Sequence, residues 1–206
     1  SLLLNKYSLL MKMIPKNTSK VVRFLLRNTE KIGFNINQIA KSTKISVGSS
    51  FKILKELEKD KIVLSQNIGN AFYYNLNLNN SETVKLCELL LLEEKRHLTG
   101  YAKLYSESIQ KFEKAELIIL FGSVLFKKEF NDVDILFVTN KYKEVNDFCL
   151  ELSKIRAKPM VPLILKKEDL VKELRNKKEA MLSLIKNGVV LKGESVFIKI
   201  IKNAKE

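Results

Sequence analysis

The sequence predicts an α+β protein of two domains joined by a helical linker, and three observations carry that expectation. Residues 18–59 repeat apolar positions at helical spacing in three short segments, followed by two alternating runs around a glycine turn. Residues 79–114 are leucine-rich and read as helix. After them an apolar run, a Gly-Ser pair, a polar loop and a second apolar run opened by Asp132-Val133-Asp134 read as strand, turn, loop and strand. The expected boundaries are 1–80 for three helices and a β-hairpin, 81–114 for the linker, and 115–206 for an α/β domain with a small mixed sheet.

Each element has its own signal. The opening SLLLNKYSLLMKMIP is broken by Lys6 and Lys12 and ends at a proline rather than a small-residue cleavage site. An apolar N-terminal helix is therefore expected there, not a secretory leader. Thr18 or Ser19 is expected to cap a helix to about Asn28, with Val22, Leu25 and Leu26 inward. Asn35 caps a second through Ser42, and Ser46 a third from Val47 to about Lys59. On the third, Val47, Phe51, Leu54 and Leu57 recur at helical spacing and are expected to face inward, leaving Ser49, Ser50, Lys52 and Lys55 outside. Ile62–Gln66 and Ala71–Leu76 flank a turn containing Gly69, which makes a hairpin.

In the linker, Leu86 and Leu89 to Leu92 make an apolar band too broad for a surface stripe, and Gly100 marks a break before Leu104, Ile109 and Phe112. Such a band is buried between domains or forms a dimer seam. Beyond Asn140 the pattern predicts a helix over 142–155, a strand over 158–166, helices over 167–175 and 178–186, an extended 189–191, and a final short helix from Ser195.

Composition narrows the function classes. The net charge is +14; residues 1–80 hold 13 Lys+Arg against 4 Asp+Glu, or +9, leaving +14 − 9 = +5 for the rest. A basic first domain suits a polyanionic partner. His97 is the only histidine, which disfavours a histidine triad or a zinc site, and it reads as a helix-surface residue. Cys87 and Cys149 match no metal or redox spacing and are expected to be buried thiols in a reducing, cytoplasmic setting. No apolar run reaches membrane-spanning length.

Three helices and a hairpin in this order, with NINQIAKSTKISVGSSFKILKELEKDKIV as the helix, turn, helix and strand, resemble the winged helix-turn-helix fold of many transcription regulators. The resemblance covers about residues 18–78, and because winged-helix regulators usually bind as dimers it implies a homodimer. It implies that the third helix enters the major groove of double-stranded DNA and that the hairpin touches backbone or minor groove. Ser49 and Ser50 are short enough for close approach to base edges, while Lys44, Lys52 and Lys55 can meet phosphates. No arginine lies on this helix, so bidentate reading of guanine is not available from it. A winged helix serving as a protein-interaction module is the alternative.

The second half carries the chemistry. Residues two apart on a strand share a face, so Asp132 and Asp134 project together while Val133 turns into the core. Paired carboxylates suit Mg²⁺, which takes one or two of them and completes its shell with waters and phosphates. Gly122 lets backbone approach a ligand closely, and Ser123 can open a helix whose N–H groups favour a phosphate. Gly122-Ser123, eight residues, then Asp132-Val133-Asp134 resembles the signature of the polymerase beta nucleotidyltransferase superfamily, particularly its minimal members. The resemblance implies that Gly122 and Ser123 hold the triphosphate of a nucleotide and that Asp132 and Asp134 ligate Mg²⁺ for nucleotidyl transfer. That family also expects a third carboxylate on the next core strand, where KPMVPLILK has none. Glu168 and Asp169 follow it but read as the first turn of a helix.

Three functional readings follow. The first is a DNA-binding transcription regulator whose second domain binds a nucleoside triphosphate with Mg²⁺ or transfers its nucleotidyl group. The second is an active nucleotidyltransferase that modifies a partner protein, of the toxin-antitoxin type. The third is a catalytically degenerate domain used for dimerisation.

Overall fold

A computed structural model describes residues 14–205 other than 30 and 32. The apolar N-terminal helix expected at the start of the chain lies outside the described residues. The architecture is mixed α+β, and contacts divide the chain into two compact units, one through Leu90 and one from Leu91 to Ala204. The division falls within a helix of the segment expected to act as linker.

In the first unit, α1 (Lys16–Arg27) buries Val21, Val22, Leu25 and Leu26. It begins directly after Pro15, with no side-chain cap, rather than at Thr18 or Ser19; the fixed φ of proline starts the turn in place of a hydroxyl. Strand β1 (Phe34–Asn35) has only two residues and no sequence signal of its own. It pairs antiparallel with β3, Phe34 opposite Tyr74. Asn35 then caps α2 (Ile36–Thr43) through a full capping box: its Oδ1 accepts from the Gln38 N–H at 3.0 Å, and Gln38 Oε1 accepts from the Asn35 N–H at 3.0 Å. Ser46 caps α3 (Val47–Lys59). Strands β2 (Val63–Ile68) and β3 (Ala71–Leu76) form the hairpin, turning at Gly69, and the sheet order is β1-β3-β2.

The inner face of α3 holds Leu54 and Leu57, as its apolar periodicity predicts, but not Val47 and Phe51. Ser50, Leu54 and Leu57 are buried, whereas Val47 and Phe51 are each 48% exposed. Positions 50, 54 and 57 follow the 3.6-residue period, and this stripe runs about 70° round the helix from the one through Val47 and Phe51. The small Ser50 lies where the helix packs on its neighbours. It therefore does not face outward as expected for a DNA contact, and among the described residues its Oγ has no hydrogen-bond partner.

Helix α4 (Ser81–Arg96) carries the leucine band; Cys87, Leu90 and Leu91 are fully buried. The second unit holds a four-stranded sheet of order β6-β5-β4-β7. Strands β4 (Leu117–Phe121) and β5 (Val133–Val138) are its antiparallel centre, with Leu117 to Leu120 and Ile135 to Val138 wholly buried. Helix α6 (Tyr142–Ile155) crosses over to β6 (Met160–Leu165), which runs parallel to β5. Helices α7 (Lys167–Arg175) and α8 (Glu179–Asn187) follow, then β7 (Val189–Lys192), antiparallel to β4, and α9 (Glu194–Lys205). Glu168 and Asp169 do lie in the first turn of α7.

Helix α5 (Gly100–Ile109), expected to be the second half of the linker, belongs to this core. Its Ala102, Tyr105 and Ile109, with Phe112 beyond it, pack among Ile118, Ile135 and Phe137. Strand β6 lies at one margin of the sheet and carries Pro162 at mid-strand. The Ser153 hydroxyl of α6 accepts from the Met160 N–H at 2.9 Å. Both cysteines are buried, and burial pushes each thiol up to about 12. No described helix is long and apolar enough to cross a membrane.

Candidate functional site

The acid pair sits where the central strands leave the core. Strands β4 and β5 are almost uninterrupted apolar runs, and burial breaks at one end of the pair, where Phe121 lies opposite Asp134. Val133 is fully buried while Asp132 and Asp134 on either side of it are partly exposed, so the two carboxylates emerge on the same face. Burial, and after it the charge of Asp132, push the Asp134 carboxyl above its ordinary value. That repulsion means the two acids feel one another across the Val133 pleat.

Gly122 closes the site from the other strand. Its backbone has φ 81 and ψ −162, a conformation that side-chain-bearing residues rarely adopt. A Cβ here would point straight into the Asp134 carboxylate, with Cγ 2.9 Å away and Cβ 3.1 Å away. Gly122 is thus required twice, by its dihedral angle and by the acid that fills the space beside its Cα. Sequence alone pairs these residues only by analogy; the strand register puts them side by side.

Ser123 begins a single 3₁₀ turn, Ser123–Leu125, and not the longer helix expected. The carbonyl of Gly122 accepts from the Leu125 N–H (3.3 Å), and that of Ser123 accepts from the N–H groups of Phe126 (3.0 Å) and Lys127 (2.9 Å). Buried Val124 anchors the turn. Further along the loop, buried Phe130 meets the edges of Tyr101 and Tyr105 of α5, at centroid distances of 5.5 and 6.2 Å. The Tyr105 hydroxyl in turn accepts from the Lys158 N–H at 2.9 Å, and the Val133 N–H donates to the Pro159 carbonyl at 2.9 Å. One aromatic cluster therefore fixes the loop, the start of β5 and the approach to β6. Tyr101 and Tyr105 escape sequence reasoning because they lie more than twenty residues before the loop they hold.

On β6 the neighbour of Asp134 is Val161, 46% exposed. An apolar side chain thus stands beside the acid pair where a further carboxylate would need to be. Among the described residues no group of three or more His, Cys, Asp or Glu is placed to hold a metal ion. Glu168 and Asp169 follow the other end of β6, after Leu165. What the site does offer fits a divalent cation: two carboxylates on one face, one of them with a raised pKa that a cation would offset, and a glycine against which a phosphate can approach.

The candidate DNA contacts lie around α3. Lys44 caps the end of α2 in the left-handed conformation (φ 56) and is exposed. Ser49 is exposed, its N–H donating to Ser46 Oγ at 3.2 Å and its hydroxyl 2.9 Å from the same atom. Lys52 is exposed, as is Lys55, which donates to Glu58 Oε2 at 2.8 Å. That hydrogen bond holds the Lys55 ammonium above its ordinary pKa, and together with one from Ser65 it holds the Glu58 carboxyl below its own. Ser50, expected among these residues, is buried beneath them.

Residues 104–196 match the family model described as polymerase beta, nucleotidyltransferase. The match begins within α5 and ends within α9, so it takes in the whole four-stranded sheet together with the Gly122–Asp134 corner. Comparison with curated proteins finds no match to the chain.

Proposed function

We propose that the chain is a DNA-binding transcription regulator whose second unit binds a nucleoside triphosphate with Mg²⁺, and that it works as a homodimer. The observation that carries the second unit is the packing of Gly122 against Asp134, with Asp132 repelling from the same face. Asp132 and Asp134 would hold the cation, and the Gly122-Ser123 corner would receive the phosphates. Bound there, Mg²⁺ would neutralise phosphate charge and orient the nucleotide. Among the residues of the chain, Asp134 fixes the site's position through Gly122, and the Phe130 cluster holds its loop closed. Val161 beside Asp134 favours binding over transfer, since β6 supplies no acid to help activate an acceptor.

For the first unit, the support is its order of elements, helix, short strand, helix, helix, hairpin, with β1 paired to β3. This order resembles that of a winged helix, and Lys52 and Lys55 are exposed on α3. Thermal denaturation tests the nucleotide reading. ATP with Mg²⁺ raises the melting temperature of the wild type and does not raise that of Asp134→Asn; equal melting with and without nucleotide in the wild type sinks it. Val161→Asp supplies the missing acid and is expected to increase the Mg²⁺-dependent stabilisation. Transfer, the alternative, is read by incorporation of labelled nucleotide into a protein partner.

A further inference from the structure

The exposed face of α3 carries an apolar pair that neither the fold nor the charge of the unit explains. Val47 and Phe51 lie one helical turn apart, each 48% exposed. Between them Gly48 has open space around it; a Cβ there would meet nothing within 4 Å. Glycine in a helix costs about 1 kcal/mol relative to alanine, yet it leaves the backbone of this first turn unshielded. The remaining polar groups on this stretch are few. Ser50 is buried, the Ser49 hydroxyl lies 2.9 Å from Ser46 Oγ, and no arginine is present. Lys44, Lys52 and Lys55 are exposed on the same segment, of charge +9, and the Lys55 ammonium stands 6.0 Å from the Phe51 ring centroid.

Resting on the DNA-binding reading above, we infer that Val47 and Phe51 recognise the 5-methyl groups of thymine in the major groove. The protein is then a reader of thymine-containing sequence through apolar contact rather than of guanine through hydrogen bonds. In the major groove only thymine presents a methyl group, and an apolar side chain gains by covering it. Exposed lysines on this segment suit the phosphates flanking that groove, whereas an apolar protein partner covering Phe51 would bury the nearby Lys55 ammonium against it. Leu64 and Ile68, also exposed, lie on the face of the hairpin opposite buried Val63 and do not extend the pair.

Replacing thymine by deoxyuridine removes the methyl and leaves base pairing intact, which gives a direct test with the full chain. Duplexes selected from a random pool for tightest binding are remade with deoxyuridine at every thymine, and affinities are compared across a salt series. The wild type is expected to bind the uracil duplex about fourfold more weakly for each methyl contacted, about fifteenfold for two. Phe51→Ala is expected to lose its share of the thymine preference, and Val47→Ala with Phe51→Ala to bind both duplexes alike, each retaining the salt dependence; both side chains are half-exposed, which makes loss of folding avoidable. Lys52→Ala is expected to weaken both duplexes equally. Equal wild-type affinity for both duplexes, with salt dependence intact, overturns the methyl reading and leaves DNA binding standing. An unchanged thymine preference in Phe51→Ala overturns it as well. No duplex binding even at low salt removes both readings, and self-association abolished by Phe51→Ala without any methyl effect assigns the face to a protein contact.

Discussion

The two units place their candidate functional residues by opposite means. In the second, polar residues mark the place where buried strands end: Asp132 and Asp134 interrupt a run whose other members are wholly buried. In the first, the exposed side of α3 mixes lysines with Val47 and Phe51, and a serine lies inside. A strand buried on both faces leaves no ambiguity about which side chain is out of place. A helix on a surface does, because an apolar residue put outward for a purpose looks like one put inward for packing. The comparison teaches that polarity singles out an exposed side chain in a buried sheet and does not single one out on a surface helix.

The largest effect is expected from Phe130→Ala, which empties the slot between Tyr101 and Tyr105. A loss of about 3 kcal/mol by chemical denaturation is expected, together with loss of nucleotide-dependent stabilisation. A near-neutral result would mean that the sheet-end site does not depend on its aromatic support. Gly122→Ala follows, at about 1–3 kcal/mol for a side chain forced into this dihedral region. Combining it with Asp134→Ala is expected to restore the part due to the carboxylate and leave the part due to φ, as a double-mutant cycle reads directly.

A smaller effect is a dependence on pH. The folded Asp134 pKa is raised, so its ionised form opposes folding at neutral pH. Stability from this group therefore rises as pH falls through the raised value and levels off below the unfolded value of about 3.8. Asp134→Asn is expected to melt slightly higher than wild type at pH 7 without metal and to lose that rise; melting curves from pH 7 to pH 4 check it. Smallest is Ser50→Ala, which removes a buried hydroxyl that has no partner among the described residues. It is expected to be neutral or stabilising by up to about 1 kcal/mol, with duplex affinity unchanged. A drop in affinity would return Ser50 to the binding face and break the contrast between the units.

Much of the fold was legible because local signals agree with tertiary packing. Asn35 and Ser46 are caps in sequence and in structure, the glycine turn at 69 closes the hairpin, and LIILF and VDILFV read as strands. The acid pair was legible for the same reason, through the two-residue period of a strand. Three things were not. Strand β1 is two residues long and exists only because β3 lies beside it. The assignment of α5 to the second core depends on Tyr101 and Tyr105 meeting a phenylalanine far along the chain. The rotation of α3 is set by what Ser50 and Leu54 pack against, which no periodicity on α3 alone contains.

One detail of β6 governs how copies of this protein can meet. Odd-numbered residues of that strand bond to β5, since Val133 and Thr139 donate to the carbonyls of Pro159 and Leu165. The N–H groups of residues 160, 162 and 164 would therefore point away from the sheet. Ser153 occupies the first, and Pro162 has no N–H to offer, which leaves Ile164 alone of the three. A second sheet cannot zip onto so interrupted a margin. Contact at this margin is then left to side chains, and the strand is guarded against the runaway stacking by which unprotected borders seed fibres.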